Sequence, residues 1–298
     1  METTLKTDFP IVLTENLIVL GNYYFNLYLV KGKNGSALIE TGVSGTVDRV
    51  TEQLESLDVY PSYLIVTHPH ADHITGLDGL VKKFPNAVVA TGDGAEKFLS
   101  HPKAIEAMLY EDRFITEMLK ANRMFPGRAP IETGIKLPEN SVVLKQNDEI
   151  DLGGIIIRCI EVKGHSPAHI SIHIPDINAL IVSDSVGFHF PGRGFLPLFL
   201  TNYQSYLKSL NQIISMKPEI MGPGHQCPLT GKDAEKALKV SHETTLNLYS
   251  RIMNENKPPD EIADDIFNEY YKDEFRIYSE SNIMNCCKLL VRRSMESA

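Results

Sequence analysis

The first 90 residues alternate between apolar runs and segments with helical spacing. Apolar, β-branched runs bounded by turn residues predict strands, and apolar residues that recur three or four positions apart predict helices. The predicted order is three strands, helix, strand, helix and strand, at residues 11–20, 23–30, 36–40, 47–57, 63–66, 77–84 and 87–90. This alternation predicts an α/β fold in which sheets carry helices on their outer faces.

Two later segments, residues 93–128 and 231–298, break the alternation, because both have helical patterns throughout. Residues 93–128 are rich in Met, Phe and charged residues and predict a helical insertion. The other predicted elements are strands at 142–144, 155–162, 169–174, 179–183 and 219–221, a helix at 203–216, and C-terminal helices at 231–256, 260–271 and 280–295. The sequence therefore predicts a main α/β domain over residues 1–230 and a C-terminal helical cap over residues 231–298.

Composition narrows the classes of partner and the expected compartment. Hydrophobic residues make up 43% of the 298-residue chain, which is enough for a large core. The net charge of -9 disfavours nucleic acid as a partner, because such binders usually present a basic face. We find no signal-peptide pattern, no apolar run long enough to span a membrane and no cysteine framework for disulfides. We therefore expect a cytoplasmic protein that binds neither nucleic acid nor membrane.

Candidate metal ligands follow four of the predicted strands. Residues 67–73, with the sequence THPHADH, follow a short apolar strand, and three further polar residues each stand where a later strand ends. Imidazole and carboxylate groups are the ligands that zinc and iron accept in mixed sets. The candidate ligands are His68, His70, Asp72, His73, His165, Asp184 and His225. Three histidines within six positions, from ten in the chain, make a chance cluster a poor explanation.

The order H-x-H-x-D-H, then G-H, then an aspartate after a strand, then G-H, resembles the metallo-β-lactamase superfamily over about residues 11–230. The resemblance implies an αββα sandwich, here with the helical insertion and the C-terminal helical cap as additions. It further implies two divalent metal ions, with zinc expected first and iron or manganese as alternatives.

Carried over position by position, the resemblance assigns a role to each candidate ligand. His68, His70 and His165 would bind one metal, whereas Asp72, His73 and His225 would bind the other. Asp184 would bridge the two metals, and Asp72 and Asp184 are the expected catalytic residues. Asp72 would also orient or receive a proton. The sequence departs from the family pattern at Glu40, where many relatives carry aspartate.

The placement of the helical additions resembles hydroxyacylglutathione hydrolases and, more closely, the acyl-CoA thioesterase of quinolone-signal biosynthesis. Helices in these positions can shape a substrate pocket. The expected substrate-binding residues are Phe188, His189, Phe190, Arg193, Tyr278 and Ser279. Core packing of the phenylalanines and a surface position for Arg193 stay open as alternatives.

These features predict a dinuclear hydrolase that cleaves a thioester, of acyl-CoA or a related acyl carrier, through a hydroxide bridging the two metals. The alternatives are a lactonase of the acyl-homoserine lactone type, and a metal-binding regulatory or interaction protein with incidental hydrolysis. The expected partner is therefore a small thioester or ester. A homodimer stays open as an alternative, since no residue supports or excludes it.

Overall fold

The computed structural model describes residues 9–124 and 127–297, so the parts of the predicted segments that fall on residues 1–8, 125–126 and 298 lie outside it.

Seven strands form the first sheet in chain order. The strands are β1 (Ile11–Val12), β2 (Leu17–Gly21), β3 (Asn26–Lys31), β4 (Ser36–Ile39), β5 (Tyr63–Val66), β6 (Val88–Gly92) and β7 (Val142–Leu144). The pairs from β1 to β4 are antiparallel, and those from β4 to β7 are parallel.

A second sheet of six strands faces the first. Its strands are β8 (Glu149–Asp151), β9 (Ile156–Glu161), β10 (Ile170–Ile174), β11 (Ala179–Ile181), β14 (Ile220–Gly222) and β15 (Leu229–Thr230), and β12 (Phe188–Phe190) and β13 (Gly194–Leu196) form a separate hairpin. The order across the sheet is β15-β14-β11-β10-β9-β8. Only β11 and β14 pair in parallel among these described strands, so their carboxyl ends lie at the same edge of the sheet.

The helices cover the outer faces of the two sheets. They are α1 (Val47–Ser56), α2 (Ala71–Ile74), α3 (Leu77–Lys83), α4 (Ala95–Leu99), α5 (Pro102–Ala121), α6 (Tyr203–Met216), α7 (Gly231–Asn254), α8 (Pro259–Tyr270) and α9 (Glu280–Met295). Short 3₁₀ helices occupy Ser44–Thr46, Pro175–Ile177 and Asp273–Ile277. No helix among residues 9–124 and 127–297 combines the length and the apolar character needed to cross a membrane.

Alternation along the buried strands produces four layers. On β3, Tyr28 and Val30 pack in the core between the sheets, together with Ile172 and Ile181 of the second sheet. The side chains between them face the other way. The opposite face of the first sheet packs against α1 and α3, and the opposite face of the second packs against α6, α7 and α9. The result is the αββα arrangement that the sequence predicts, which confirms the fold class.

Three local differences separate the predicted elements from the observed ones. The predicted strand 11–20 is interrupted, because the Thr14 hydroxyl accepts from the Leu17 amide and closes a turn between β1 and β2. Strands β8 and β15 have no counterpart among the predicted strands, because they are only three and two residues long and lie at the two edges of the second sheet. No element was predicted over residues 186–200, where the structure forms the β12–β13 hairpin.

Candidate metal centre and adjoining cavity

Strand ends of both sheets bring the seven candidate ligands to one place. His68 and His70 lie between the end of β5 and α2, and Asp72 and His73 lie in α2 itself, so the segment that follows β5 of the first sheet supplies four of the seven. The second sheet supplies the others from the segments that follow β9, β11 and β14: His165, Asp184 and His225. The backbone is tightly packed at this point, because a Cβ atom on Gly224 would lie 2.7 Å from the His73 ring. Only glycine fits immediately before His225.

Three imidazole nitrogens converge on a single point. The Nε2 atoms of His68 and His165 are 3.2 Å apart, and each is 3.1 Å from Nδ1 of His70. Ligands at about 2.0–2.1 Å from a tetrahedral metal ion are separated by about 3.3 Å, so this triangle has the size of a metal site. The Oδ2 atom of Asp184 lies 3.5 Å from Nε2 of His165 and stands as a fourth group beside the triangle.

A second set of ligands lies on the other side of Asp184. The Oδ2 atom of Asp72 is 3.4 Å from Nε2 of both His73 and His225. The carboxylate of Asp184 faces this set as well, with Oδ1 3.3 Å from Nε2 of His225 and Oδ2 3.6 Å from Nε2 of His73. Asp184 therefore stands between the two groups of ligands, as expected for a bridging residue.

Hydrogen bonds on the outer side of two rings leave their inner nitrogens free to bind metal. Nδ1 of His165 lies 2.9 Å from the carbonyl of Leu198, and Nδ1 of His225 lies 2.7 Å from the carbonyl of Tyr24. Because a carbonyl oxygen only accepts, both Nδ1 atoms donate, and each Nε2 keeps its lone pair toward the cluster. Such outer partners also fix the orientation of the rings.

Glu40 supports His73 from outside the cluster, despite the departure from the family pattern. Its Oε2 atom lies 3.1 Å from Nδ1 of His73, and its Oε1 accepts from the Thr67 hydroxyl at 2.7 Å. Glu40 meets His73 through the outer nitrogen of the ring, so we assign it a supporting role and not that of a ligand. The backbone at Glu40 is left-handed, with φ 74°.

Burial favours the protonation states that metal binding needs at His68, His70 and His165, whereas the carboxylates of Asp72 and Asp184 raise the pKa of His73 and His225 against the effect of burial. Burial lowers the pKa of His68 and His165, and burial together with His165 lowers the pKa of His70 to about 3. Burial alone would raise the pKa of Asp184, but the facing rings of His225 and His73 hold it well below its ordinary value. Neutral imidazoles beside an ionised carboxylate are the forms that bind a cation.

Two buried atoms of the cluster lack hydrogen-bond partners within the described residues. They are Nε2 of His73 and Oδ1 of Asp184. Buried polar atoms normally find a partner, because leaving one unpaired costs about 1–3 kcal/mol. A divalent cation satisfies both atoms, so the residues present fit metal ions bound between these side chains.

A cavity of about 390 Å³ adjoins the cluster. Its walls come from α5, from α9 and from the loops that carry the ligands, and most of its lining atoms are apolar. The lining side chains away from the cluster include Phe98, Ala104, Ala107, Met108, Glu111, Phe188, Leu198, Leu200, Phe275, Tyr278, Asn282, Ile283, Cys286 and Leu289. No lysine or arginine is among the described residues that line it. The helical insertion and the C-terminal cap thus form two sides of one cavity.

Two of the expected substrate residues lie in this cavity. The Tyr278 hydroxyl donates to Oδ2 of Asp72 at 2.9 Å and lies 3.5 Å from Nε2 of His225. Phe188 stacks on the His225 ring with centroids 5.0 Å apart. Ser279 does not line the cavity, because its backbone N–H and its hydroxyl both donate to Glu111.

The structure places the other three expected substrate residues elsewhere, which corrects the sequence expectation. Arg193 lies at the surface, where its guanidinium pairs with Asp273 at 3.1 Å and with Glu274 at 3.4 Å. His189 packs on Phe195, and Phe190 packs in the core beneath Phe275. Alternation on β12 turns His189 to the face opposite Phe188. Phe190 shares the face of Phe188 but packs against Tyr270 and Phe275, and Arg193 lies in the turn between β12 and β13.

Sequence reasoning missed the α5 and α9 walls of the cavity. Ala104, Met108 and Glu111 recur at helical spacing on α5, and Asn282, Cys286 and Leu289 do the same on α9. This spacing identifies one face of each helix. Helical spacing does not indicate which other element packs opposite that face, so the cavity could be identified only from the structure.

A family model described as the metallo-beta-lactamase superfamily matches residues 22–225 of the chain. The chain belongs to the metallo-β-lactamase superfamily. Members of this superfamily are typically metal-dependent hydrolases. The expected family is therefore confirmed, and the structure places His/Asp groups where they could bind metal ions.

Curated relatives are similar over much of the chain. The metallo-beta-lactamase fold-containing protein ST1585 of Sulfurisphaera tokodaii is 28% identical over 218 residues, which are 72% of this chain and 77% of that protein. A hydroxyacylglutathione hydrolase of Cyanothece sp. is 26% identical over 67% of this chain and 62% of its own length. The similarity to the latter is distant, so the thioesterase expectation stays a prediction.

Solved structures share the fold. A β-lactamase domain protein from Burkholderia ambifaria has a TM-score of 0.67 at 17% identity and covers 96% of this chain and 88% of its own. The family protein TTHA1429 from Thermus thermophilus has a TM-score of 0.65 at 18% identity and covers 96% of each chain. At this level of identity the likeness supports the fold alone.

Proposed function

We propose that the protein is a hydrolase with two divalent metal ions, zinc in the first instance, that cleaves the thioester of a neutral, apolar acyl group. The observation that carries the proposal is the position of the His/Asp cluster at the wall of an apolar cavity without lysine or arginine. A pocket of this kind binds an acyl group by removing its apolar surface from water. The distant similarity to hydroxyacylglutathione hydrolases supports a thioester.

The metals would lie between His68, His70, His165 and Asp184 on one side and Asp72, His73, His225 and Asp184 on the other. When bound, such ions lower the pKa of water toward neutrality and polarise the carbonyl that is attacked. In the net reaction, water adds to the acyl carbon and the carbon–sulfur bond breaks, which gives a carboxylic acid and a thiol. The chain needs no serine or cysteine nucleophile for this chemistry.

Asp72 is the residue we assign to proton transfer. Its carboxylate is at the cavity wall, and its side chain is 14% exposed, whereas the other ligand carboxylate, Asp184, is 7% exposed. Burial alone would raise the pKa of Asp72, but the rings of His73 and His225 lower it, so the carboxylate is ionised. It would receive the proton of the attacking water and return it to the leaving thiolate.

The composition of the cavity restricts the substrate. Met108, Leu198 and Ile283 are buried apolar side chains in its wall. Apart from the candidate ligands, Glu111 is the acidic residue in this lining, and it accepts two hydrogen bonds from Ser279. Away from the metal ligands, an acyl group that carries a carboxylate would meet no lysine or arginine among the described lining residues. The charged parts of a carrier such as coenzyme A or glutathione would therefore remain outside the cavity.

A panel of thioesters tests the proposal. We expect thiol release from acyl-CoA and acyl-glutathione substrates to rise from acetyl to medium-length or aromatic acyl groups, with about two metal ions per chain by elemental analysis of the same sample. Asp184→Asn serves as the inactive control. Fully metallated protein that releases no thiol contradicts the thioester assignment, and opening of lactones with the same acyl groups would then reassign the substrate.

A further inference from the structure

Tyr278 lies between the C-terminal cap and the metal cluster. It follows the 3₁₀ helix Asp273–Ile277, and its side chain is buried at 5% exposure. Its hydroxyl donates to Oδ2 of Asp72, the oxygen that faces His73 and His225. Its ring packs edge-on against Phe188, with centroids 6.1 Å apart. The cap therefore reaches the cluster through one phenol group held in an aromatic environment.

The backbone on either side of Tyr278 is held by two further side chains. The Tyr271 hydroxyl donates to the carbonyl of Tyr278 at 2.9 Å. Glu111 of α5 accepts from the Ser279 backbone N–H at 2.9 Å and from the Ser279 hydroxyl at 2.6 Å. The same hydroxyl accepts from the Asn282 N–H and so caps the first turn of α9. The helical insertion thus holds Ser279, which lies between Tyr278 and α9, and Tyr271 of the cap holds the carbonyl of Tyr278.

We propose that Glu111, through Ser279, is a positioning residue for Tyr278, and that Tyr278 in turn fixes the Asp72 carboxylate as a metal ligand. The proposal rests on the metal centre described under the proposed function and extends it. The insertion and the cap therefore do more than enclose substrate, because together they orient Asp72 within the ligand set that it forms with His73 and His225.

The physical basis is the orientation of a ligand oxygen by a hydrogen bond. A carboxylate that accepts from a fixed hydroxyl loses freedom to rotate away, and outer partners of this kind typically change metal affinity by about 10–100-fold. Tyr278 can exert this effect only if its own backbone does not move. The Glu111–Ser279 contact supplies that restraint from a helix that is itself anchored in the main domain through Asp112.

Metal retention tests the proposal without any substrate. Metal-loaded protein is titrated with a chelator, and the metal remaining per chain is measured by elemental analysis. Tyr278→Phe keeps the ring and removes only the hydroxyl, so we expect one of the two metals to be lost at about tenfold lower chelator concentration. Glu111→Gln and Ser279→Ala should shift the same metal in the same direction and by less. Matched controls are Tyr270→Phe in α8 and Glu106→Gln, exposed on α5, which should match the wild type.

A double variant separates a positioning role from a merely structural one. If Glu111 acts through Tyr278, Tyr278→Phe combined with Glu111→Gln retains metal no worse than Tyr278→Phe alone. Fully additive losses would show that Glu111 acts by another route, and wild-type retention in Tyr278→Phe would overturn the proposal. Both results are distinguishable from failure of the proposed function, which appears in the wild type as absence of metal or of hydrolysis.

Discussion

The two sides of the cavity are built in different ways. The side formed by the strand ends is polar, and the histidines that it presents are fixed by acceptors such as the Leu198 and Tyr24 carbonyls. The side formed by α5 and α9 is mostly apolar, and its hydroxyl contact with the ligands is made by Tyr278. The strand ends thus supply the reactive groups of the proposed reaction, whereas the helices supply shape.

Because the two sides are built differently, we expect them to tolerate substitutions to different degrees. A strand end allows little movement, because each ligand is tied to the sheet behind it, so a change there affects chemistry. The helical wall contacts substrate mainly by van der Waals packing, so a change there should alter selectivity in modest steps. Two positions on α5 should be less tolerant than the rest of the helical wall, because they are adjacent buried carboxylates that hold other parts of the chain. Glu111 accepts hydrogen bonds from Ser279, and Asp112 accepts them from the main domain.

The largest effect is expected at the residue between the two sets of ligands. Asp184→Asn replaces a charged ligand of both sets by a neutral amide, and we expect hydrolysis to fall by about a thousandfold or more, with fewer than two metals per chain. Turnover and elemental analysis of the same sample measure both quantities. Near-normal turnover with two metals retained would break the assignment of chemistry to the strand ends.

A large loss of stability is expected at Asp112. Its two oxygens accept from the Ser44 N–H and hydroxyl, the Thr75 hydroxyl and the Ile131 N–H. Asp112→Asn places an amide NH₂ among these donors, and we expect the free energy of unfolding to drop by about 3 kcal/mol in urea denaturation. Glu117→Gln, exposed on the same helix, is the control and should change it by less than about 0.5 kcal/mol. Equal effects of the two substitutions would contradict the anchoring role.

Selectivity is expected to change at the apolar wall. Ala104→Leu places three more carbon atoms into the cavity from α5, so kcat/KM for the bulkiest acyl group accepted should fall about tenfold relative to acetyl. The rates for acetyl and for the best substrate of the panel are compared in each variant. Ala121→Leu, exposed at the end of the same helix, should leave the ratio unchanged. A uniform loss across all acyl groups would argue that the wall acts on chemistry and not on shape.

The smallest effect is expected at Arg193. Its ion pairs with Asp273 and Glu274 lie at the surface, where such pairs contribute about 0–1 kcal/mol. Arg193→Ala should therefore change KM by less than about twofold, which steady-state kinetics over the substrate panel can measure. A KM raised tenfold or more would restore Arg193 as a substrate residue and place part of the binding site outside the cavity.

The metal cluster was predictable because its ligands carry local signals. Four of them fall within six residues, and the others follow, within four residues, strands whose apolar runs are visible in the sequence. Glu40, at the end of the third predicted strand, was identified only as a departure from the family pattern, and its contact with His73 came from the structure. The sheets fix where these strand ends meet, so a pattern in one dimension was sufficient for most of the centre.

The helical wall was not predictable for a corresponding physical reason. Glu111 lies within a long amphipathic helix, where a single charged residue resembles a solvated one, and only its contact with Ser279, 168 positions away, shows otherwise. The turn after β12 contains Gly192, and β13 begins at Gly194; both glycines have positive φ, and glycines in such numbers are equally typical of an irregular loop. Tertiary pairing, not local preference, decides both cases.

The adjacent carboxylates on α5 also constrain how the chain can vary in length. Successive residues of an α-helix point about 100° apart, and Asp112 and Glu111 each have partners on a different side. Their partners therefore fix the rotation of the helix about its own axis. A residue inserted between Glu111 and Asp112 would turn one of them away from its donors, whereas an insertion near residue 101 or after residue 127 could be absorbed in the connecting loop. The spacing of Glu111 and Asp112 along α5, more than the length of the helical insertion, therefore determines whether the cap and the main domain are both held by this helix.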